Sequence, residues 1–104
     1  MKASFRWCSG SPEFKLSGVP KGTAKIAMRM TDLDVPGYNH GGGEVAITPK
    51  QTVIDCGALF GQGTYNGPSP PSGQQHTYRW TLKALDAAGS VLGETTAERK
   101  FPEL

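Results

Sequence analysis

An all-β fold, an antiparallel β-sandwich of about seven short strands with little or no helix, is what this 104-residue sequence predicts. Three observations carry it. No stretch keeps apolar residues at helical spacing for three turns. Glycine and proline fill 22 of the 104 positions, roughly twice the ordinary share, and interrupt the chain every few residues. Two segments alternate between apolar and polar side chains, the period of a half-buried strand. At this length one core and one domain, residues 1–104, are expected.

In chain order, Ser4 to Trp7 and Phe14 to Leu16 are short strand candidates. From Lys25 to Met30, Ile26, Met28 and Met30 share one face while Lys25, Ala27 and Arg29 share the other. Glu44 to Thr48 and Ala58 to Phe60 are further short candidates. From Thr77 to Leu85 the same period sets Tyr78, Trp80, Leu82 and Ala84 against Thr77, Arg79, Thr81 and Lys83. Asp86-Ala87-Ala88-Gly89 then reads as a turn into a final strand, Val91 to Phe101, which makes the last third a β-hairpin. Pro36, Pro68, Pro70 and Pro71 flank tight loops, where at least one cis peptide bond is expected.

Charge excludes some functions. The 11 basic and nine acidic residues are spread along the chain, so no basic stripe exists to neutralise a row of phosphates, and nucleic acid is not an expected partner. No apolar run approaches the ~20 residues that cross a bilayer, and MKASFRWCSG lacks the apolar stretch of a leader. Met1 and Lys2 are compatible with replacement of a removed leader, which leaves export open. Cys8 and Cys56 have no neighbouring cysteine, a pattern that suits one disulfide better than a metal knuckle; two buried free thiols are the alternative. The bridge implies a periplasmic or secreted protein; without it the cytoplasm is the alternative.

Extending the strand parities locates the candidate chemistry. The row Ile26, Met28, Met30 continues to Asp32 and Asp34, and the row Ala84, Leu82, Trp80, Tyr78 ends at His76. If the two strand ends meet, Asp32, His76 and Tyr78 form a polar mouth above an apolar floor, the composition of a ligand pocket. Around it, GQGTYNGPSPPSGQQHT is free of charged residues and supplies the Tyr65, Ser69 and Ser72 hydroxyls, while VPGYNHGGGEV supplies Tyr38 and His40 beside three glycines that admit a backbone or a ligand. The structural alternative makes Asp34, before Val35-Pro36, a turn former and His76 with Tyr78 a satisfied buried pair. A metal site from Asp32, His40 and His76 lacks tight ligand spacing, so neither metal nor cofactor is expected.

These segments resemble one family. TDLDVP resembles the D-P-D-A-P motif, YNGPSPPSGQQHTYRWTLKALD the G-x-x-P-P-x-G…H-R-Y segment, and SPEFKLSGVPKGTAKIAM the S-P-x-(L/F)-x-W-x-G-V-P-x-G-T stretch of the phosphatidylethanolamine-binding, or Raf-kinase-inhibitor-like, family. The resemblance runs from about Ser11 through Asp86. It implies a β-sandwich with a small pocket for phosphate, phospholipid headgroups or other small anions. Carried over, Asp32, Asp34 and Pro36 match the first motif, and Pro70, Pro71, Gly73, His76 and Tyr78 the second. His40 matches loosely, because Gly41-Gly42-Gly43 follow where the family has Trp and a longer insertion. Thr77 replaces the family's Arg, Leu33 its first-motif proline, and the chain is shorter than typical members. With Cys8 and Cys56 added it looks like an exported bacterial relative, so kinase inhibition is not carried over.

The expected function is non-enzymatic binding of a small anion, phosphate or a phosphorylated headgroup, by Asp32, Asp34, His40, Pro71, His76 and Tyr78. Two alternatives differ in class. One is a structural or protein-interaction sandwich with a vestigial pocket, pairing with a partner or with itself through its strand edges. The other is a hydrolase using Asp32 and His76, for which no G-x-S-x-G nucleophile setting exists.

Overall fold

The computed structural model describes residues 1–103 except Pro49, Phe60, Gly61 and Gly63. Seven strands form, β1 (Lys2–Cys8), β2 (Gly10–Ser17), β3 (Lys25–Asp32), β4 (Gly42–Ala46), β5 (Val53–Ile54), β6 (His76–Leu85) and β7 (Val91–Phe101), with no helix among the described residues. They make two antiparallel sheets, one ordered β1-β2-β5 and the other β4-β3-β6-β7.

Alternation builds the interior. The inward residues of β3 and β6 pair across the sheet, Met28 with Leu82 and Met30 with Trp80, and they face Phe5, Phe14, Leu16 and Ile54 of the smaller sheet. Trp80 has no exposed surface and meets the Phe14 ring edge-on at 5.2 Å, a geometry that suits the quadrupoles of two aromatic rings. Where β1 passes β7, side chains close the seam: the Trp7 indole N–H donates to the Lys100 carbonyl at 2.8 Å, and Arg99 donates to the Phe5 carbonyl at 2.6 Å.

The β6–β7 turn forms as expected from its residues. Asp86 Oδ1 accepts from the Ala88 and Ser90 N–H groups, both at 2.9 Å, and Gly89 supplies a φ of 88° that a residue with a Cβ rarely adopts. The disulfide forms too, Cys8 bonding Cys56 across a Cα separation of 5.9 Å and tying the end of β1 to the turn after β5.

Three expectations are corrected. The segment predicted as a strand from Ala58 to Phe60 is a turn at Ala58 and Leu59, with Phe60 outside the described residues. Leu59 is buried not by alternation but because the turn folds inward, its N–H donating to the Ser11 hydroxyl at 3.1 Å. The seventh strand is instead Val53–Ile54, two residues that pair with Lys15 and Phe14. The β4 strand is shifted two residues earlier than Glu44 to Thr48, because Gly42 and Gly43 lie close against β3 opposite Arg29 and Met28. Pro36, Pro68, Pro70 and Pro71 follow trans bonds, the cis bond among the described residues being Phe101–Pro102. At Pro71 the chain reverses through Gly73, at φ 81°, with the Gln74 N–H on the Pro71 carbonyl at 2.9 Å.

Candidate functional site

Because β3 and β6 are antiparallel neighbours, the last residue of one lies beside the first residues of the other, Asp32 pairing with Tyr78 in register. The apolar row of β3 therefore delivers Asp32, and that of β6 delivers His76 and Tyr78, to one end of the sandwich. Asp32 is 4 % and His76 7 % exposed, and Asp32 Oδ2 lies 2.7 Å from His76 Nδ1. A carboxylate oxygen only accepts, so the ring donates from Nδ1. The other carboxylate oxygen accepts from the Asp34 N–H at 2.9 Å and the Val35 N–H at 3.2 Å. Burial by itself raises the carboxyl's pKa, but the bond from His76, the two backbone N–H groups and the charge of the imidazole together hold it below its ordinary 3.8.

On its second nitrogen, His76 Nε2 meets Gln74 Oε1 at 2.9 Å. His40, 2 % exposed, donates from Nδ1 to the Asn66 carbonyl at 3.0 Å, while the Asn66 N–H donates back to the His40 carbonyl at 2.7 Å. Its ring lies 4.4 Å from Tyr38 and 5.4 Å from Tyr78. The Tyr78 hydroxyl is buried and, among the described residues, meets no partner at hydrogen-bonding geometry. Burial, reinforced by the Asp32 charge, pushes it up to about 12. Trp7 crosses the same ring at 5.6 Å.

These groups surround a cavity of about 210 Å³ lined by Asp32, Val35, Tyr38, His40, Ser69, Pro71 and His76, mostly apolar in surface. A groove of about 470 Å³ runs beside Arg29 and Gly41–Gly43, and one of about 280 Å³ beside Arg6, Glu13, Lys15 and Arg99. Of the three, the smallest is the one lined by buried ionisable side chains, which is the feature of a site built to hold something.

Of the residues singled out in the sequence, Asp32, Tyr38, His40, Ser69, Pro71 and His76 line this cavity, and the Tyr78 ring packs against both histidines. Asp34 arrives at the same strand end but faces solvent, where its Oδ2 accepts from the Thr77 N–H at 2.8 Å and ties the β3 end to β6. Asp32, Asp34 and His76 present ligand atoms within 4.8 Å of one another, yet the donors are committed to the bonds just described. Of the three glycines after His40, Gly41 and Gly42 admit a neighbouring backbone, and Gly43 lies against the Gln62 and Leu59 side chains. A Cβ on Gly41 would overlap the Thr64 carbonyl, and one on Gly42 the Met28 carbonyl. Sequence reading missed Val35, which no period marks because it sits in a turn. It also missed Gln74, which the row Tyr78, His76 reaches when carried two residues further.

Two comparisons with known proteins match this chain. The family model described as phosphatidylethanolamine-binding protein matches residues 6–102. The chain is also similar to UPF0098 protein YbhB of Escherichia coli (strain K12), 27% identical over 110 residues that cover 80% of this chain and 70% of that protein.

Proposed function

Since the chain belongs to the phosphatidylethanolamine-binding protein family, we propose that its cavity binds a small anion, phosphate or a phosphorylated headgroup, without catalysing a reaction. The observation that carries this reading is the buried His76–Asp32 pair in the wall of a largely apolar cavity of about 210 Å³. Asp32 holds the ring through Nδ1, and a ring N–H in a largely apolar wall makes a strong bond to an oxyanion. Apolar contact with Val35, Tyr38 and Pro71 suits the carbon part of a headgroup. A non-enzymatic role is supported by the outer ring nitrogen, which meets Gln74 and not the Ser69 hydroxyl, so the Asp–His pair is not delivered to a nucleophile. The Cys8–Cys56 disulfide supports residence in an oxidising compartment such as the periplasm or outside the cell.

Titration with inorganic phosphate and with phosphorylethanolamine, followed by NMR, is the test. Signals from residues 31–34, 69–73 and 76–78 are expected to move while the β6–β7 turn stays still. His76→Ala is expected to weaken binding about tenfold or more, the loss of a charge-assisted donor at ~1.5–3 kcal/mol. Shifts confined to surface lysines such as Lys21 and Lys83 would overturn the reading. They would favour instead an interaction domain, for which the observation is edge strand β7 with Val91 56% and Leu92 40% exposed.

A further inference from the structure

An imidazole has two nitrogens, and both of those on His76 are occupied: Nδ1 by Asp32 at 2.7 Å and Nε2 by Gln74 Oε1 at 2.9 Å. No ring N–H is left for a ligand, so anything that bonds to His76 must first displace one of the two. Asp32 is buried and is held by two backbone N–H groups besides the ring. Gln74 is exposed, and the ring is the side-chain partner that its carboxamide has. It is the partner that yields. We propose that Gln74 is a built-in competitor that seals His76 and sets the selectivity of the cavity for anionic over neutral ligands. This rests on the anion-binding reading above.

Two features make the seal specific. The turn from Pro71 to Gln74, closed by the Gln74 N–H on the Pro71 carbonyl at 2.9 Å, is anchored beyond by Gln75, whose side-chain amide donates to the Pro102 carbonyl at 2.9 Å. The backbone thus keeps Gln74 over the ring when its side chain swings out. The carboxamide oxygen is also as good an acceptor as any neutral amide or hydroxyl, so a neutral ligand exchanges like for like and gains nothing. An oxyanion adds the attraction of a full negative charge, which the carboxamide lacks. The carboxamide therefore acts as a threshold that only a negatively charged oxygen passes.

The experiment titrates the full chain, wild type and variants, with inorganic phosphate and follows residues 31–34, 69–73 and 76–78 by NMR. Gln74→Ala removes the competitor and leaves the Asp32–His76 bond and the turn backbone intact. Phosphate affinity is expected to rise about fivefold, the worth of one ordinary hydrogen bond. Gln74→Glu places a tethered carboxylate on the same nitrogen and is expected to abolish binding. Phosphate binding by Gln74→Ala with none detectable in the wild type would support the seal in its strongest form. If the wild type binds and His76→Ala does not, but Gln74→Ala binds equally or more weakly, the seal is refuted while anion binding stands. If phosphate moves none of these signals in either wild type or Gln74→Ala, both ideas fall.

Discussion

Asp32 keeps a charge in the interior because three donors converge on its carboxylate, the His76 ring and the Asp34 and Val35 N–H groups. Its folded-state pKa lies below the ordinary 3.8, so the ionised form favours the fold. That contribution is complete above about pH 4 and is lost as the pH falls through the lowered value. Asp32→Asn is therefore expected to cost about 2 kcal/mol at neutral pH and to flatten the acid limb of a stability profile below about pH 4, as measured by urea unfolding at several pH values. Tyr78 is the opposite case. Its hydroxyl is buried beside that carboxylate with no partner at hydrogen-bonding geometry among the described residues, a cost the fold carries. Tyr78→Phe is expected to leave stability unchanged or raise it by about 1 kcal/mol while weakening phosphate binding. Unfolding and titration of the one variant measure both, and a clear loss of stability would show that the hydroxyl is satisfied in the fold.

The edge strand β4 survives with two glycines because it must pass closer to its neighbours than side chains allow. Gly42 donates its N–H to the Thr64 carbonyl at 2.9 Å, and the Thr64 hydroxyl returns a bond to the Gly42 carbonyl. A Cβ at Gly42 would overlap the Met28 carbonyl and the Arg29 backbone, neither of which can retreat without opening the β3–β4 ladder. Gly42→Ala is expected to cost about 3 kcal/mol, the upper end for overpacking, and to speed amide exchange along β4. Gly37→Ala, with nothing within 4 Å of the added carbon, is the matched control and should unfold with the wild type.

Across the whole molecule, β1 and β7 belong to different sheets, so no ladder joins them. Trp7 and Arg99 close that seam where backbone pairing does not, and the Cys8–Cys56 bridge ties β1 to the turn after β5 on the smaller sheet. With a sequence separation of 48, the bridge removes loop freedom from the unfolded chain worth about 4 kcal/mol. Replacing both cysteines by alanine is expected to lower the unfolding free energy measured in urea by that amount without moving the signals of Asp32 and His76 in the cavity. A variant as stable as the wild type would mean that the unfolded chain is already constrained at this point.

Strand alternation and turn chemistry are local, and so the β3 and β6 rows, the Asp86–Gly89 turn with the strand after it, and the arrival of Asp32 and His76 at row ends were readable along the chain. A period of two states which face is covered. It does not state what covers it. Only the assembled sheets decided that Val53–Ile54, too short to show any period, becomes a strand by borrowing the free edge of β2, and that Leu59 is buried from a turn. The same holds for Gly41 and Gly42, whose need for a bare Cα arises from carbonyls at Thr64 and Met28, far away in sequence. Asp34 offered two readings in the sequence, turn former or ligand group, and its bond to the Thr77 N–H could be assigned only once β3 and β6 were side by side. The sequence placed the ionisable groups because burial is written in residue type and spacing. Which hydrogen bond each one makes depends on partners that the chain brings within 3 Å only when it folds.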